Sequence, residues 1–233
     1  MNKADRQAQY NRMVVRMMEH VENGTTDWAD DTMIVSSQEY TDAEFWQTEM
    51  DAIYRKLPIL IGMSHEVPNA GDFKSLDILG IPLLISRQAD GSVRVFMNVC
   101  THRSMILVKE ETGNKRVFTC PYHAWSFSGD GSLRGVAEAS KFGSDCKDRN
   151  LVQFPCHEEG GLIFAVLDAE STIDIREFLG GMMDDIVAKD FPSWSYIGNR
   201  VITGANWKVA YDGYLEGYHF KAAHPETIEP RTF

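Results

Sequence analysis

Cysteine is sparse in this sequence, four in 233 residues, and with 43% hydrophobic residues the chain can bury a core without disulfides. The first twenty residues contain no apolar leader, and no apolar run approaches the length of a membrane span. These two absences predict a cytoplasmic protein with no membrane partner, in a compartment where cysteine serves metal or redox chemistry. Basic residues are also in deficit. Lys and Arg number 23 against 34 Asp and Glu, a net charge of −11, which argues against a nucleic-acid partner. Internal repeats and low-complexity stretches are absent, which excludes a solenoid.

Several organised patterns are present. Tyr10, Met13, Val14, Met17, Met18 and Val21 recur at three- and four-residue steps. That spacing predicts one amphipathic helix ended by Asn23-Gly24, with its methionine stripe packed as core. Thr41 and Glu44 read as a capping box ahead of Phe45, Trp46 and Ile53, predicting a second helix from Thr41. From Pro58 to about Leu167 the texture changes to short β-rich runs: Ile59–Ile61, Pro82–Ser86, Ser92–Val99, Lys115–Thr119 and Gly161–Leu167. Turn signals at Pro68-Asn69, Ala89-Asp90-Gly91, Thr112-Gly113-Asn114 and Gly129-Asp130-Gly131 separate them, predicting an antiparallel sandwich or barrel-like domain. Helical periodicity returns with Phe178, Leu179, Met182, Met183, Ile186 and Val187, beginning near Ser171-Thr172. A short strand is expected over Arg200–Thr203 and a further helix from Asn206.

The chemistry is concentrated in two segments. Cys100-Thr101-His102-Arg103 is followed, after residues 103–119, by Cys120-Pro121-Tyr122-His123, so two tight Cys/His pairs end two predicted strands. A tetrahedral Cys₂His₂ zinc site uses the same ligand types, but zinc fingers usually pair Cys with Cys and His with His. Here each pair is mixed. The mixed pattern resembles the Rieske family, in which one iron of a [2Fe–2S] cluster takes both Cys and the other both His. Neutral imidazoles in place of two thiolates raise the reduction potential. Asn98-Val99 before the first pair, Arg103 after it, and Ala124-Trp125-Ser126-Phe127 after the second strengthen the resemblance. It implies cluster ligands at Cys100, His102, Cys120 and His123, with Trp125 shielding the loop. Respiratory-type members add a Cys to each ligand loop. Met105 and Tyr122 stand there instead, favouring the ferredoxin and oxygenase branch and leaving Cys146 and Cys156 as structural thiols.

In the second segment, residues 206–224, Asp212, Glu216 and His219 are spaced i, i+4 and i+7, as on one helix face. His224 lies five residues past His219, a rotation of roughly 140° in a regular helix, so the two meet only if the helix bulges or ends. Pro225 favours an ending. Asn206-Trp207-Lys208 followed by acid-x₃-acid-x₂-His-x₄-His resembles the mononuclear-iron segment of Rieske non-haem iron oxygenases. The resemblance implies Fe(II) ligands at His219 and His224, completed by a carboxylate far downstream. It places Glu216 where the family usually has an Asp bridging to the Rieske His of a neighbouring subunit, and Asp212 at a commonly polar first-turn position.

The implied fold is α+β: a helical segment over 1–44, an antiparallel β Rieske domain over 45–168, and the start of a helix-grip (START-like) catalytic domain over 169–233, truncated before its C-terminal part. The implied activity is that of an aromatic-ring-hydroxylating dioxygenase-type alpha subunit, a mono- or dioxygenase acting with O₂ on a small organic substrate, aromatic by expectation. Electrons would come from NAD(P)H through a flavin-dependent reductase, with or without a ferredoxin, and the intact enzyme would be a homotrimer. The competing readings are a pure Rieske electron carrier and an inactive truncated remnant. The 206–224 pattern discriminates, since a carrier has no need of it.

Overall fold

In the computed structural model, residues 3–142, 146, 148–198 and 200–231 are described. The chain divides into two compact units, Thr48–Gly198 and Met1–Gln47 with Asn199–Phe233. Among the described residues, α-helices cover Lys3–Asn23 (α1), Gln38–Thr41 (α2), Ala43–Glu49 (α3), Ile175–Ala188 (α4), Trp207–Leu215 (α5) and Phe220–Ala223 (α6). None is long and apolar enough to cross a membrane. The strands are Ile59–Met63 (β1), Asp72–Ile78 (β2), Ile81–Arg87 (β3), Val93–Met97 (β4), Thr112–Asn114 (β5), Val117–Thr119 (β6), Ser126–Ser128 (β7), Leu133–Gly135 (β8), Gln153–Phe154 (β9), Cys156–Glu159 (β10) and Leu162–Ala165 (β11).

The larger unit is the expected antiparallel β domain, built from three sheets ordered β5-β2-β3-β4-β9, β1-β11-β10 and β6-β7-β8. Successive side chains of a strand point to opposite faces, so a strand buried on both sides reads as an unbroken apolar run. β3 is such a strand. Leu83 and Ile85 face a core shared with Ile61, Val95 and Ile163, whereas Leu84 faces a second core with Phe73, Phe96, Phe118, Trp125 and Phe127. The five-stranded sheet thus has one face against the β1-β11-β10 sheet and the other against the Cys/His loops. A third core lies behind β11, where Leu162 and Phe164 meet Ile175, Leu179 and Met183 of α4. Asp174 caps α4 by accepting from the Glu177 amide at 2.9 Å, a few residues later than the expected start.

The structure corrects several expectations. The first helix ends at Asn23 with Gly24 left-handed at φ 60°, as read, but its stripe is not core: no residue of α1 is buried. The cap of α3 is Asp42, not Thr41. The Asp42 carboxylate accepts from the Glu44 and Phe45 amides at 2.8 Å, while the Thr41 hydroxyl donates back to the Ser37 carbonyl. A carboxylate at a helix N-terminus also meets the positive end of the dipole, which a threonine hydroxyl cannot match. Thr112-Gly113-Asn114, expected as a turn, is β5, paired with β2. Residues 200–203, expected as a strand, carry no regular structure.

Two charged pairs are drawn into the larger unit. The Lys74 ammonium meets Glu66, with side chains 10% and 8% exposed. Arg87, buried, makes a bidentate contact with Glu158 at 2.5 and 2.7 Å and donates to the Val67 and Gly91 carbonyls. Saturating the guanidinium in this way offsets its desolvation. Burial raises the Glu158 carboxyl, but the Arg87 and Ser64 contacts outweigh that and hold it below its ordinary value.

The turns give a clean test of backbone strain. Gly91 and Gly131 both close hairpins at positive φ, 84° and 85°. A Cβ on Gly91 would meet open space, whereas on Gly131 it would enter the Phe96 ring. Gly91→Ala is expected to cost about 1–2 kcal/mol from left-handed strain alone, and Gly131→Ala about 2–4 kcal/mol with overpacking added. Urea unfolding of both variants measures the difference.

Candidate metal centres

The four cysteine and histidine donors of the first motif sit on two loops of matching construction. In the first, the Cys100 amide donates to the Met105 carbonyl at 2.8 Å and the Ser104 amide to the Cys100 carbonyl at 2.9 Å. In the second, the Cys120 amide donates to the Trp125 carbonyl at 2.8 Å and the Ala124 amide to the Cys120 carbonyl at 3.0 Å. Each loop reverses through a left-handed non-glycine residue, Ser104 at φ 55° and Ala124 at φ 57°. The first loop is anchored by an isolated bridge between Val99 and Ile106, and the second joins β6 to β7.

These loops bring the donors together. The Cys100 and Cys120 side chains face each other, 1% and 3% exposed, and the His102 and His123 ring centroids are 4.7 Å apart. The His102 ring stacks on Trp125 at 4.8 Å and 4°, and Phe142 sets its edge against both at 5.6 Å. Burial pushes the Cys100 thiol up and Cys120 adds to this, while backbone hydrogen bonds from His102 and Arg103 pull it down. Burial, and then His123, Arg103 and Arg149, all lower His102 below the ordinary imidazole value.

The donor set fits a cluster of two irons. His102 Nδ1 is buried with no hydrogen-bond partner, a deficit worth roughly 1–3 kcal/mol that a metal at that nitrogen would remove. Among the described residues, no three His, Cys, Asp or Glu side chains are placed to hold one ion. A two-iron cluster asks only for two protein ligands per iron.

The second motif is assembled differently from its sequence expectation. The α5 helix, capped by Asn206 accepting from the Val209 amide, stops at Leu215, and Glu216 is extended at φ −109°, ψ 144°. Asp212, Glu216 and His219 therefore do not share one helix face. Gly213 and Gly217, each costing about 1 kcal/mol relative to Ala inside a helix, weaken helical continuation through this stretch. His219 then caps the N-terminus of α6 and His224 its C-terminus, which brings their ring centroids to 5.5 Å. The helix ending between them is what reunites the pair. Glu216 Oε1 lies 3.1 Å from His219 Nδ1. Asp212 accepts from the Tyr40 hydroxyl at 2.7 Å.

Comparison with known proteins adds a family to this geometry. Residues 58–155 match the Rieske [2Fe–2S] domain, and residues 191–233 match the catalytic domain of the ring-hydroxylating alpha subunit. The carnitine monooxygenase oxygenase subunit of Escherichia coli (strain K12) is 34% identical over 80% of this chain and 50% of its own length. The anthranilate 1,2-dioxygenase large subunit of Acinetobacter baylyi is 32% identical over 79% and 41%. A solved quaternary ammonium Rieske monooxygenase with L-carnitine superposes at a TM-score of 0.73 and 31% identity, covering 81% of this chain and 55% of that one. Naphthalene 1,2-dioxygenase with indole gives 0.67 and 26%, covering 82% and 46%. The chain carries a Rieske [2Fe–2S] domain and is similar to Rieske oxygenase alpha subunits. It spans about half the length of the curated relatives it matches.

Within this Rieske-domain chain, three contributors have no sequence signal. Phe142 and Arg149 reach the His102 ring from a segment without a motif. Tyr40 reaches Asp212 across 172 residues, and its phenol is raised mainly by that hydrogen bond. Cys100→Ser and Cys120→Ser are each expected to abolish the visible absorbance of the oxidised cluster, while Cys156→Ser leaves it intact; absorption spectra of the purified variants measure this.

Proposed function

We propose that this chain is the electron-receiving and iron-binding part of an oxygenase component that oxidises a small organic substrate with O₂. The observation that carries the reading is the meeting of Cys100, His102, Cys120 and His123 at two loop tips, with His102 Nδ1 left for a metal. When bound, a [2Fe–2S] cluster on these four residues supplies single electrons, and Fe(II) on His219 and His224 supplies dioxygen activation.

The protein's own residues prepare both places. Trp125 stacks on the His102 ring and Phe142 sets its edge against it, which fixes the ring's plane. Burial of His102, with His123, Arg103 and Arg149 beside it, disfavours its protonated form, which suits a metal-binding imidazole. Glu216, by engaging His219 Nδ1, fixes the ring orientation and directs the other nitrogen outward. The same carboxylate is the group we assign to the path between this site and the His-bearing loop of a neighbouring chain, in a homotrimer or a multiple of it. Inter-subunit electron transfer described for a quaternary ammonium Rieske monooxygenase supports that assignment. Electrons would enter from NAD(P)H by way of a flavin-dependent reductase, directly or through a ferredoxin. Among relatives, those at 34% and 31% identity are named for carnitine and glycine betaine, and one at 32% for anthranilate, so quaternary ammonium compounds stand beside aromatic acids as candidate substrates.

Two outcomes test this. In the intact enzyme, Glu216→Gln is expected to slow product formation at least tenfold with both metals still bound; turnover at the wild-type rate removes Glu216 from the path. The 233-residue chain alone, given reductase and NADH, is expected to show a reducible [2Fe–2S] signal, substoichiometric mononuclear iron and no oxygenated product. Two neutral imidazoles hold ferrous iron weakly without a carboxylate to add a donor and balance charge. Reductase-dependent product at one mononuclear iron per chain would mean that another residue completes the site, with Glu226 and Glu229 the first to exchange.

A further inference from the structure

Among the described residues, two side-chain atoms are buried without a hydrogen-bond partner, His102 Nδ1 and Trp125 Nε1. Iron at His102 accounts for the first and leaves the second unexplained. The two rings lie face to face, with centroids 4.8 Å apart and planes within 4°. Trp125 is 1% exposed, and its backbone carbonyl accepts from the Cys120 amide, yet its indole N–H donates to nothing. Buried donors in folded proteins are nearly always paired, so this one calls for an acceptor.

We propose that the Trp125 indole N–H donates to a sulfur of the [2Fe–2S] cluster and thereby raises its reduction potential. The inference rests on the assignment of that cluster to Cys100, His102, Cys120 and His123.

Three observations favour this acceptor. First, Trp125 shares one core with Cys100 and Cys120, and its carbonyl closes the loop that carries Cys120. The indole is therefore fixed to the same frame as the sulfur donors. Second, that core is made of Phe, Leu, Val and Cys side chains, and neither ligand cysteine accepts from Nε1 as the loops stand. Bridging sulfides are the acceptors that the fold itself does not supply. Third, the ring is clamped between His102 on its face and the Phe142 edge at 5.6 Å. With Nε1 buried, neither water nor a side chain of a neighbouring molecule reaches it unless the ring moves.

Shielding the donor loop requires only an aromatic ring, which phenylalanine would supply. The N–H adds a charge effect. Reduction places an extra electron on a cluster whose sulfurs already carry negative charge, so a donor aimed at sulfur stabilises the reduced form more than the oxidised one. Apolar surroundings strengthen such a bond. The other tryptophans, Trp28, Trp46, Trp194 and Trp207, are 40–86% exposed and occupy no such position.

An EPR-monitored redox titration of the purified chain tests the idea. Trp125→Phe is expected to lower the midpoint potential at unchanged cluster content. Water admitted by the smaller ring would stabilise the added charge and raise the potential, so a fall reports the lost N–H. Independently, chain grown on tryptophan labelled with ¹⁵N in the indole should show a ¹⁵N hyperfine coupling to the reduced cluster by pulsed EPR. That coupling should vanish in Trp125→Phe. It should persist when Trp28, Trp46, Trp194 and Trp207 are all changed to Phe, which identifies Trp125 even if Trp125→Phe takes up no cluster. An unchanged or raised potential in cluster-bearing Trp125→Phe would overturn the proposal and leave the cluster assignment standing. So would wild-type chain without the coupling, or a coupling that survives in Trp125→Phe. Wild-type chain that gives no [2Fe–2S] signal at all would overturn both.

Discussion

Each donor loop closes on itself before it meets anything else. A hydrogen bond from the cysteine amide to the carbonyl five residues on, and a second from the residue four on back to the cysteine carbonyl, fold each loop into a small knuckle. The knuckle demands a left-handed residue at its fourth step, and both loops use a side-chain-bearing one, Ser104 and Ala124. That conformation costs about 1–2 kcal/mol per residue. It persists because the surrounding β framework leaves the chain little alternative: Val99 bridges to Ile106, and β6 and β7 pin the second loop from both sides. The orientation of the four donors follows from this doubled constraint.

The packing beneath the loops serves the same end. One five-stranded sheet contributes side chains to two cores, with Leu84 and Phe96 turned toward the donor loops and Leu83, Ile85 and Val95 turned away. Phe118, Trp125 and Phe127 extend the first of these cores up to the sulfur atoms. A shift of one residue in β3 or β4 would exchange the two faces and empty both cores, so strand register and donor geometry are coupled.

Much of this was legible because it is local. Mixed Cys/His pairs, Asp-Gly turns and the unbroken apolar run of β3 carry their signals within a few residues. β2 has no such local signal, because Asp72, Lys74 and Asp77 look like surface, and only the tertiary partner Glu66 explains a buried Lys74. β5 carries a turn signal in its sequence because Gly113 favours flexibility. In the fold it serves proximity, since a Cβ there would lie 2.8 Å from the Phe73 ring. The end of α5 is hidden by charge spacing that suggests one face, whereas α5 stops at Leu215 in a stretch weakened by Gly213 and Gly217. The link from Tyr40 to Asp212 has no local trace at all.

Asn98 carries a consequence for how the first donor loop behaves as a moving part. Its buried side chain donates to the Val108 carbonyl at 2.8 Å and accepts from the Val108 amide at 2.9 Å. One amide side chain thereby imitates a rung of β-ladder and ties off the nine residues between. The loop is latched at its base rather than woven into the sheet. Together with the Val99–Ile106 bridge and the Cys100–Met105 hydrogen bond, the latch makes the loop a closure of its own, whose opening would be local to residues 98–108 and would leave the β3–β4 ladder zipped.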